Sequence, residues 1–190
     1  TYTISGHRHN EIDVVFASLA GVGPASSWAM NALPGNRFLV GGPGPRKLIN
    51  TSAEWFLLAG DMTALPAIKI YLAHLPRDAQ GYVVLEVVDE WDIQPLKSPP
   101  NIEVHWVVNY SAAITGHALL DRIEQLSWLP GQPAVWAACE FHSMRALRKH
   151  FKLQHQWPKG YLYVSSYWKT GSTEDQHKIE KRDDAQSARQ

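Results

Sequence analysis

The sequence predicts a chain of two parts, a short antiparallel β segment followed by a parallel α/β domain. Near the N-terminus, short apolar strands are separated by Gly and Pro, which is typical of antiparallel β structure. From residue 49 onwards, short apolar runs alternate with longer helical patterns, and this alternation indicates a parallel sheet with crossover helices. The tail, residues 172–190, is highly charged and is expected to be a frayed helix or disordered.

The composition limits the class of protein only loosely. The chain has 190 residues, of which 45% are hydrophobic, enough for one large domain or two small ones. Its 18 basic and 18 acidic residues balance, so no overall field favours nucleic acid or an anionic membrane. No apolar run approaches the roughly 20 residues of a membrane-spanning helix. One cysteine, Cys139, excludes a disulfide framework, and we expect a cytoplasmic protein that binds neither nucleic acid nor membrane.

Three strands and one short helix are predicted in the first part, which comprises residues 1–48. The strands are residues 2–5, 12–18 and 37–40, and Pro24 and Ala25 begin the helix between the second and third strands. A structure-breaking connection, residues 41–45, follows the third strand. We therefore place the domain boundary near residues 47–52.

The second part, residues 49–171, contains eight predicted elements. Its first strand is wholly apolar, as expected for a parallel strand that is buried on both faces. In chain order the elements are strand 55–59, helix 63–75, strands 82–88 and 102–108, helix 114–126, strand 133–138, helix 142–152 and strand 161–166. Ligands bind at the carboxyl ends of such strands, where Gly60, Asp89 and Glu140 are expected.

The turn after the first of these strands is the most informative segment. Asp61 or Thr63 can cap the next helix, and free amides at a helix start attract phosphate. The three spaced glycines of a dinucleotide fingerprint are missing. The residues alone therefore leave two interpretations open, an anion site and an ordinary capped turn.

Eight further segments are informative when they are taken in order: residues 2–3, 23–29, 41–44, 60–68, 85–87, 104–106, 135–140 and 167–171. They resemble, in the same order, motifs of the siderophore-interacting proteins, which are flavin-dependent ferric-siderophore reductases of the ferredoxin-reductase superfamily. The resemblance implies the C-terminal part of an antiparallel flavin-binding β-barrel, followed by a parallel-sheet nicotinamide-binding α/β domain. It also implies that an N-terminal portion of the flavin domain precedes this sequence.

The resemblance implies an FAD site in the first part. Tyr2 would pack against the flavin ring, and Thr3 would hydrogen-bond its edge or the ribityl chain. The full set of predicted FAD residues is Tyr2, Thr3, Ile4, Gly23, Pro24, Ala25, Ser26 and Ser27. The amides of the last three open a helix and would hold phosphate. Packing within the barrel for Tyr2, and a simple helix cap for residues 23–27, are the alternatives.

NADH or NADPH is the implied electron donor, and a ferredoxin is an alternative donor. The predicted nicotinamide-nucleotide residues are Gly60, Asp61, Thr63, Ala64, Asp89 and Glu140. Thr63 and Ala64 would hold the pyrophosphate through backbone amides. A carboxylate at Asp89 would bind the adenosine ribose and favour NADH, although a solvated acidic loop is the more ordinary interpretation. Cys139, which replaces a glycine of the family motif, is expected to be buried and inert.

The implied substrate is a ferric siderophore, an anionic chelate that suits cations and aromatic faces. The predicted substrate residues are Tyr167, Trp168 and Lys169, with Arg145 and Arg148 as alternatives. Asn109 stands where relatives often carry a basic residue. The His residues lack metal-ligand spacing, so neither a resident metal nor a catalytic acid, base or nucleophile is predicted.

The resulting hypothesis is hydride transfer from a nicotinamide to FAD, followed by single-electron reduction of chelated Fe(III). Two alternatives remain at this point. One is a general NAD(P)H flavin reductase, and the other is a siderophore-binding or iron-release module without redox turnover.

Overall fold

The computed structural model describes residues 2–16, 24–42, 49–111, 117–154 and 156–187. The strands are β1 (Ile4–Arg8), β2 (Glu11–Val14), β3 (Trp55–Asp61), β4 (Gln80–Val87), β5 (Asn101–Val108), β6 (Pro133–Glu140) and β7 (Leu162–Trp168). The helices are α1 (Pro24–Asn31), α2 (Leu65–His74), α3 (Ala118–Glu124), α4 (Phe141–Gln154) and α5 (Glu174–Ser187), with a short 3-10 helix at Glu90–Asp92.

The second part is built on a parallel five-stranded sheet in the order β5-β4-β3-β6-β7. The central strand β3 pairs on both sides, so that Leu58 lies beside Val83 of β4 and Trp136 of β6. All seven residues of β3 are buried, as its apolar run predicts for a strand covered on both faces. The predicted parallel α/β domain is therefore confirmed.

Two apolar cores lie on opposite faces of this sheet. On one face, Ile68 and Leu72 of α2 pack over β3 and β4. On the other face, α3 and α4 supply residues such as Leu119 and Met144. Gly60 permits the close approach on the α2 face, because a Cβ there would lie 2.5 Å from both the Ala138 carbonyl oxygen and the Ala64 Cβ.

In the first part, β1 and β2 form a two-stranded antiparallel sheet, and α1 confirms the predicted helix. The predicted strand at residues 37–40 is wrong, because these residues pair with no strand of the described chain and Phe38, Leu39 and Val40 are exposed. The described residues do not establish a barrel. The division near residue 48 stays a prediction, since residues 43–48 lie outside the described ranges.

The remaining differences concern element ends and the tail. α2 begins at Leu65, two residues later than predicted, and α3 ends at Glu124, while residues 114–116 lie outside the described chain. The tail was predicted to be a frayed helix or disordered, and for residues 174–187 the helical alternative is confirmed and the disordered one is wrong. They form α5, which docks on β7 and α4 through polar contacts.

Candidate functional site

The carboxyl ends of three neighbouring strands bring three buried carboxylates together. Asp61 ends β3, Glu140 ends β6 and Glu86 is the penultimate residue of β4, and each is less than a tenth exposed. They line a recess of about 10 Å³, which has room for about one water molecule. The other lining residues are Met62, Val87, Val88, Ser143 and Trp168. Because this edge is where parallel sheets bind ligands, the recess is the candidate site.

Asp61 ties the ends of three strands together. Its Oδ1 accepts hydrogen bonds from the amide and the hydroxyl of Thr63. Its Oδ2 accepts from the Glu140 amide and from the Trp168 indole N–H, both at 2.8 Å. Burial raises the pKa of Asp61, and these hydrogen bonds oppose that rise by favouring the ionised form. Both carboxylate oxygens are therefore engaged within the protein.

This network corrects the predicted phosphate contact. The Thr63 amide donates to Asp61 Oδ1 and the Ala64 amide donates to the Asp61 carbonyl, each at 2.9 Å. Amides that already have acceptors do not form a free anion site. Asp61 thus closes the turn onto Thr63, whereas α2 begins at the N-cap Ala64 without a side-chain cap, so neither Asp61 nor Thr63 caps the helix. Gly60 lies within β3 as a packing residue.

Glu140 acts at the start of α4, which follows β6 without a loop. Its Oε2 accepts from the amides of His142 and Ser143. Its Oε1 accepts from the Thr170 amide at 3.2 Å and lies 3.1 Å from His142 Nδ1. A carboxylate at this position satisfies amides that have no acceptor within the helix. Both oxygens of Glu140 thus have partners in the protein, although it was predicted to contact the nucleotide.

Glu86 is the residue that sequence reasoning missed. Its Oε1 accepts from Asn109 Nδ2 at 3.0 Å, whereas Oε2 is buried without a hydrogen-bond partner in the described part of the chain. Burial raises the pKa of Glu86 to about 7; the Asn109 hydrogen bond opposes this, and the charges of Asp61 and Glu140 add to it. The one signal for Glu86 in the sequence was a carboxylate inside an otherwise apolar strand. Asn109, which stands where relatives often carry a basic residue, forms its hydrogen bond with Glu86.

Asp89 has a local structural role. Its Oδ1 accepts from the Trp91 amide at 3.0 Å, and Asp92 Oδ2 accepts from the Asp89 amide at 3.1 Å. This reciprocal pair forms a capping box around the short 3-10 helix. Of the two interpretations of Asp89, a solvated acidic loop therefore agrees with the structure better than a contact to the adenosine ribose does.

The three predicted substrate residues separate in the structure. Tyr167 packs against Trp136 on the α2 face, with ring centroids 6.2 Å apart. Trp168 donates to Asp61 at the strand ends. Lys169 Nζ lies 5.1 Å from the Phe141 ring centroid and 2.7 Å from Glu180 Oε1. The Lys169 ammonium is thus paired with α5, and the aromatic neighbour that the structure gives it is Phe141.

The predicted FAD residues are only partly described. Tyr2 is about half exposed and packs beside Phe16, with the rings tilted and their centroids 4.7 Å apart. Ile4 begins β1, directly after Thr3. Ala25, Ser26 and Ser27 lie in the first turn of α1, where amides have no acceptor within the helix. These features fit a flavin and its phosphates, and Gly23 lies outside the described residues.

Across the described ranges, no three His, Cys, Asp or Glu side chains are close enough to hold a metal ion. Cys139 is a free, buried thiol, and burial raises its pKa well above the ordinary value, as expected for an inert cysteine. Within the same ranges, every helix is too short or too polar to span a membrane.

The fold and the strand-end recess define an α/β protein with the ligand edge of a parallel sheet, preceded by an antiparallel segment. Residues 1–47 match the siderophore-interacting FAD-binding domain, and residues 53–171 match the siderophore-interacting protein domain. The chain therefore belongs to the siderophore-interacting protein family.

Individual relatives agree with this assignment. Ferric vibriobactin reductase ViuB of Vibrio cholerae is 33% identical over 188 residues, which cover 95% of this chain and 68% of ViuB. The crystal structure of the siderophore-interacting protein SipS from Aeromonas hydrophila matches with a TM-score of 0.86 at 28% identity, over 97% of this chain and 73% of SipS. A siderophore utilization protein from T. fusca matches with a TM-score of 0.73 at 28% identity, over 93% of this chain and 68% of that chain.

Proposed function

We propose that this protein is an FAD-dependent ferric-siderophore reductase that takes electrons from NADH or NADPH and passes them singly to chelated Fe(III). The observation that carries the proposal is the succession of two family domains in one chain, an FAD-binding domain followed by a siderophore-interacting domain. The similarity to ferric vibriobactin reductase over 95% of the chain supports it further.

The first part supplies the groups that would hold FAD. The exposed ring of Tyr2 and the neighbouring Thr3 would contact the flavin, and the amides of residues 25–27 would hold its phosphates. Bound FAD would accept an electron pair and release the electrons one at a time, which joins a two-electron donor to a one-electron acceptor.

The charge of the strand-end recess favours the nicotinamide end of the donor over its pyrophosphate. Asp61, Glu86 and Glu140 give this edge a negative charge, and no Lys, Arg or His is among the described residues that line the recess. A carboxylate edge disfavours pyrophosphate and suits a neutral group that donates hydrogen bonds. We therefore assign the nicotinamide end of the donor to the mouth of this recess, with Glu86 Oε2 as the unused acceptor.

The substrate brings its iron already chelated, so the protein needs no iron ligands of its own. Lys169 offers a cation beside the Phe141 ring, which suits an anionic chelate with flat catecholate or hydroxamate groups. After reduction, the hard oxygen ligands of the chelate hold Fe(II) less well than Fe(III), and iron is released.

The experiment that tests the proposal is an anaerobic absorption spectrum of the purified full-length protein. NADH, NADPH and a reduced ferredoxin are added to separate samples, and a ferric catecholate follows. A flavin spectrum that bleaches with a nicotinamide and returns with the ferric chelate supports the reductase. If only reduced ferredoxin bleaches the flavin spectrum, ferredoxin is the electron donor in place of NADH or NADPH.

Two further outcomes reject the proposal. If the flavin is reoxidised equally well by neutral and anionic ferric chelates, the protein is a general flavin reductase. A colourless protein that binds the chelate without turnover is a binding module.

A further inference from the structure

The C-terminal helix α5 is attached to the protein by polar groups. Among the described side chains of α5, the four that contact β7, its following residue Lys169 or α4 are spaced as one helical stripe, and all four are ionisable. They are His177, Glu180, Lys181 and Asp184. The apolar Ile179 points away and is 60% exposed. Ion pairs and hydrogen bonds, and little apolar burial, therefore hold this helix in place.

Two carboxylates of α5 pair with three cations of the protein body. Glu180 Oε1 lies 2.7 Å from Lys169 Nζ at the end of β7. Asp184 contacts Arg148 and lies 3.3 Å from Arg145 Nε, both on α4. These are the cations that the sequence suggests for an anionic substrate. In this structure an acidic side chain from the same chain occupies each of them.

The start of α5 lies near the predicted flavin residue Tyr2. Burial raises the pKa of Tyr2, and the carboxylate of Glu174 in the first turn of α5 raises it further, so α5 begins close to Tyr2. A site that receives electrons from the flavin has to lie close to it. The first turn of α5 meets this requirement, and the covered cations follow along the same helix at Glu180 and Asp184.

We propose that α5 is a displaceable cover of an anion-binding surface formed by Arg145, Arg148 and Lys169. A polyanionic ferric chelate binds there by replacing the carboxylates of Glu180 and Asp184. This inference rests on the proposed function, since it names where the ferric chelate of that reaction docks.

The energetics of the exchange favour a displaceable helix. Arg145 is 64% exposed, and ion pairs of exposed side chains contribute little to stability, because water already solvates the separated charges. Arg148 is less exposed, so it needs a new anionic partner when α5 leaves. The interface also contains a repulsion: burial lowers the pKa of Lys181, and the charge of Arg148 lowers it further. Lys181 compensates by donating to Ser165 Oγ at 2.7 Å and to the Ser166 carbonyl at 2.6 Å. When α5 leaves, a single chelate with several negative charges can form new ion pairs with Arg145, Arg148 and Lys169 in place of those with Glu180 and Asp184.

The test compares chelate binding in the FAD-loaded, full-length protein and its variants. The probe is ferric tris-catecholate, and its Kd is measured by equilibrium dialysis. The double variant Glu180→Gln, Asp184→Asn frees the cations, and we expect its Kd to fall by about tenfold, because three weak ion pairs no longer have to be broken before the chelate binds. Asp175→Asn is the matched control, because Asp175 lies on the same helix with its side chain 93% exposed, and its Kd should equal that of the wild type.

A second measurement needs no substitution. Backbone hydrogen exchange of residues 174–187 in the wild type should accelerate when the chelate is bound. The proposal that α5 is a displaceable cover is overturned if the Kd of the double variant is unchanged. It is also overturned if the amides of α5 stay protected from hydrogen exchange when the chelate is bound. If the wild type and both variants fail to bind the chelate, the proposed function fails with it. If the wild type reduces the chelate while α5 stays protected, the cover alone is wrong.

Discussion

The substitution Glu86→Gln tests whether the recess holds a carboxylate that titrates near neutral pH. Folding raises the pKa of Glu86 from 4.5 to about 7, so its ionisation costs about 3 kcal/mol more in the folded protein than in the unfolded chain. Because the folded state binds the Glu86 proton more tightly than the unfolded chain does, protonated Glu86 contributes to the free energy of unfolding. This contribution is complete below about pH 4.5 and is lost as the pH rises through about 7. Glutamine keeps the shape of the side chain and removes the titration.

The assay is urea unfolding of wild type and variant at about pH 5 and about pH 8. Relative to the wild type, the variant should gain about 2.5 kcal/mol of unfolding free energy between the two pH values. Any constant cost of the buried amide cancels in this comparison. An identical wild-type-to-variant difference at both pH values would refute the assignment of the titrating group to Glu86.

Three further predictions concern the residues that surround the recess. Gly60→Ala should destabilise the protein by about 1–3 kcal/mol, since the new Cβ would lie 2.5 Å from the Ala138 carbonyl oxygen; urea unfolding with an unchanged midpoint would contradict this. Trp168→Phe removes one hydrogen bond to buried Asp61 and should cost about 1–3 kcal/mol in the same assay, whereas no loss would mean that the bond is dispensable. Cys139 should resist a thiol reagent in the folded protein and react once the protein is unfolded, because burial raises its pKa; rapid reaction of the native protein would show an accessible thiol.

The sheet was predictable from the sequence because its strands are short apolar runs. The run at residues 55–59 indicated burial on both faces, and β3 is buried throughout. The edge at which Glu140 lies also followed from the parallel topology. By contrast, residues 37–40 have strand-like composition but no partner strand in the described chain, and pairing cannot be read from composition alone.

The details of the site were less predictable. The amides of Thr63 and Ala64 looked free because the sequence does not reveal that Asp61 turns back to accept from one of them. Glu86 was overlooked because a single carboxylate within a strand has no periodic signal. The docking of α5 escaped prediction because hydrophobic periodicity does not detect a helix that is held by ion pairs.

The number of electrons passed from flavin to iron decides whether this protein is a ferric-siderophore reductase. The flavin of the full-length protein is reduced anaerobically with NADH, excess donor is removed, and ferric catecholate is added together with a chromogenic Fe(II) trap. We expect reoxidation of the flavin with about two Fe(II) formed per flavin, since each flavin holds an electron pair and each iron takes one electron. A flavin that stays reduced, or is reoxidised without Fe(II), would rule out the proposed reductase.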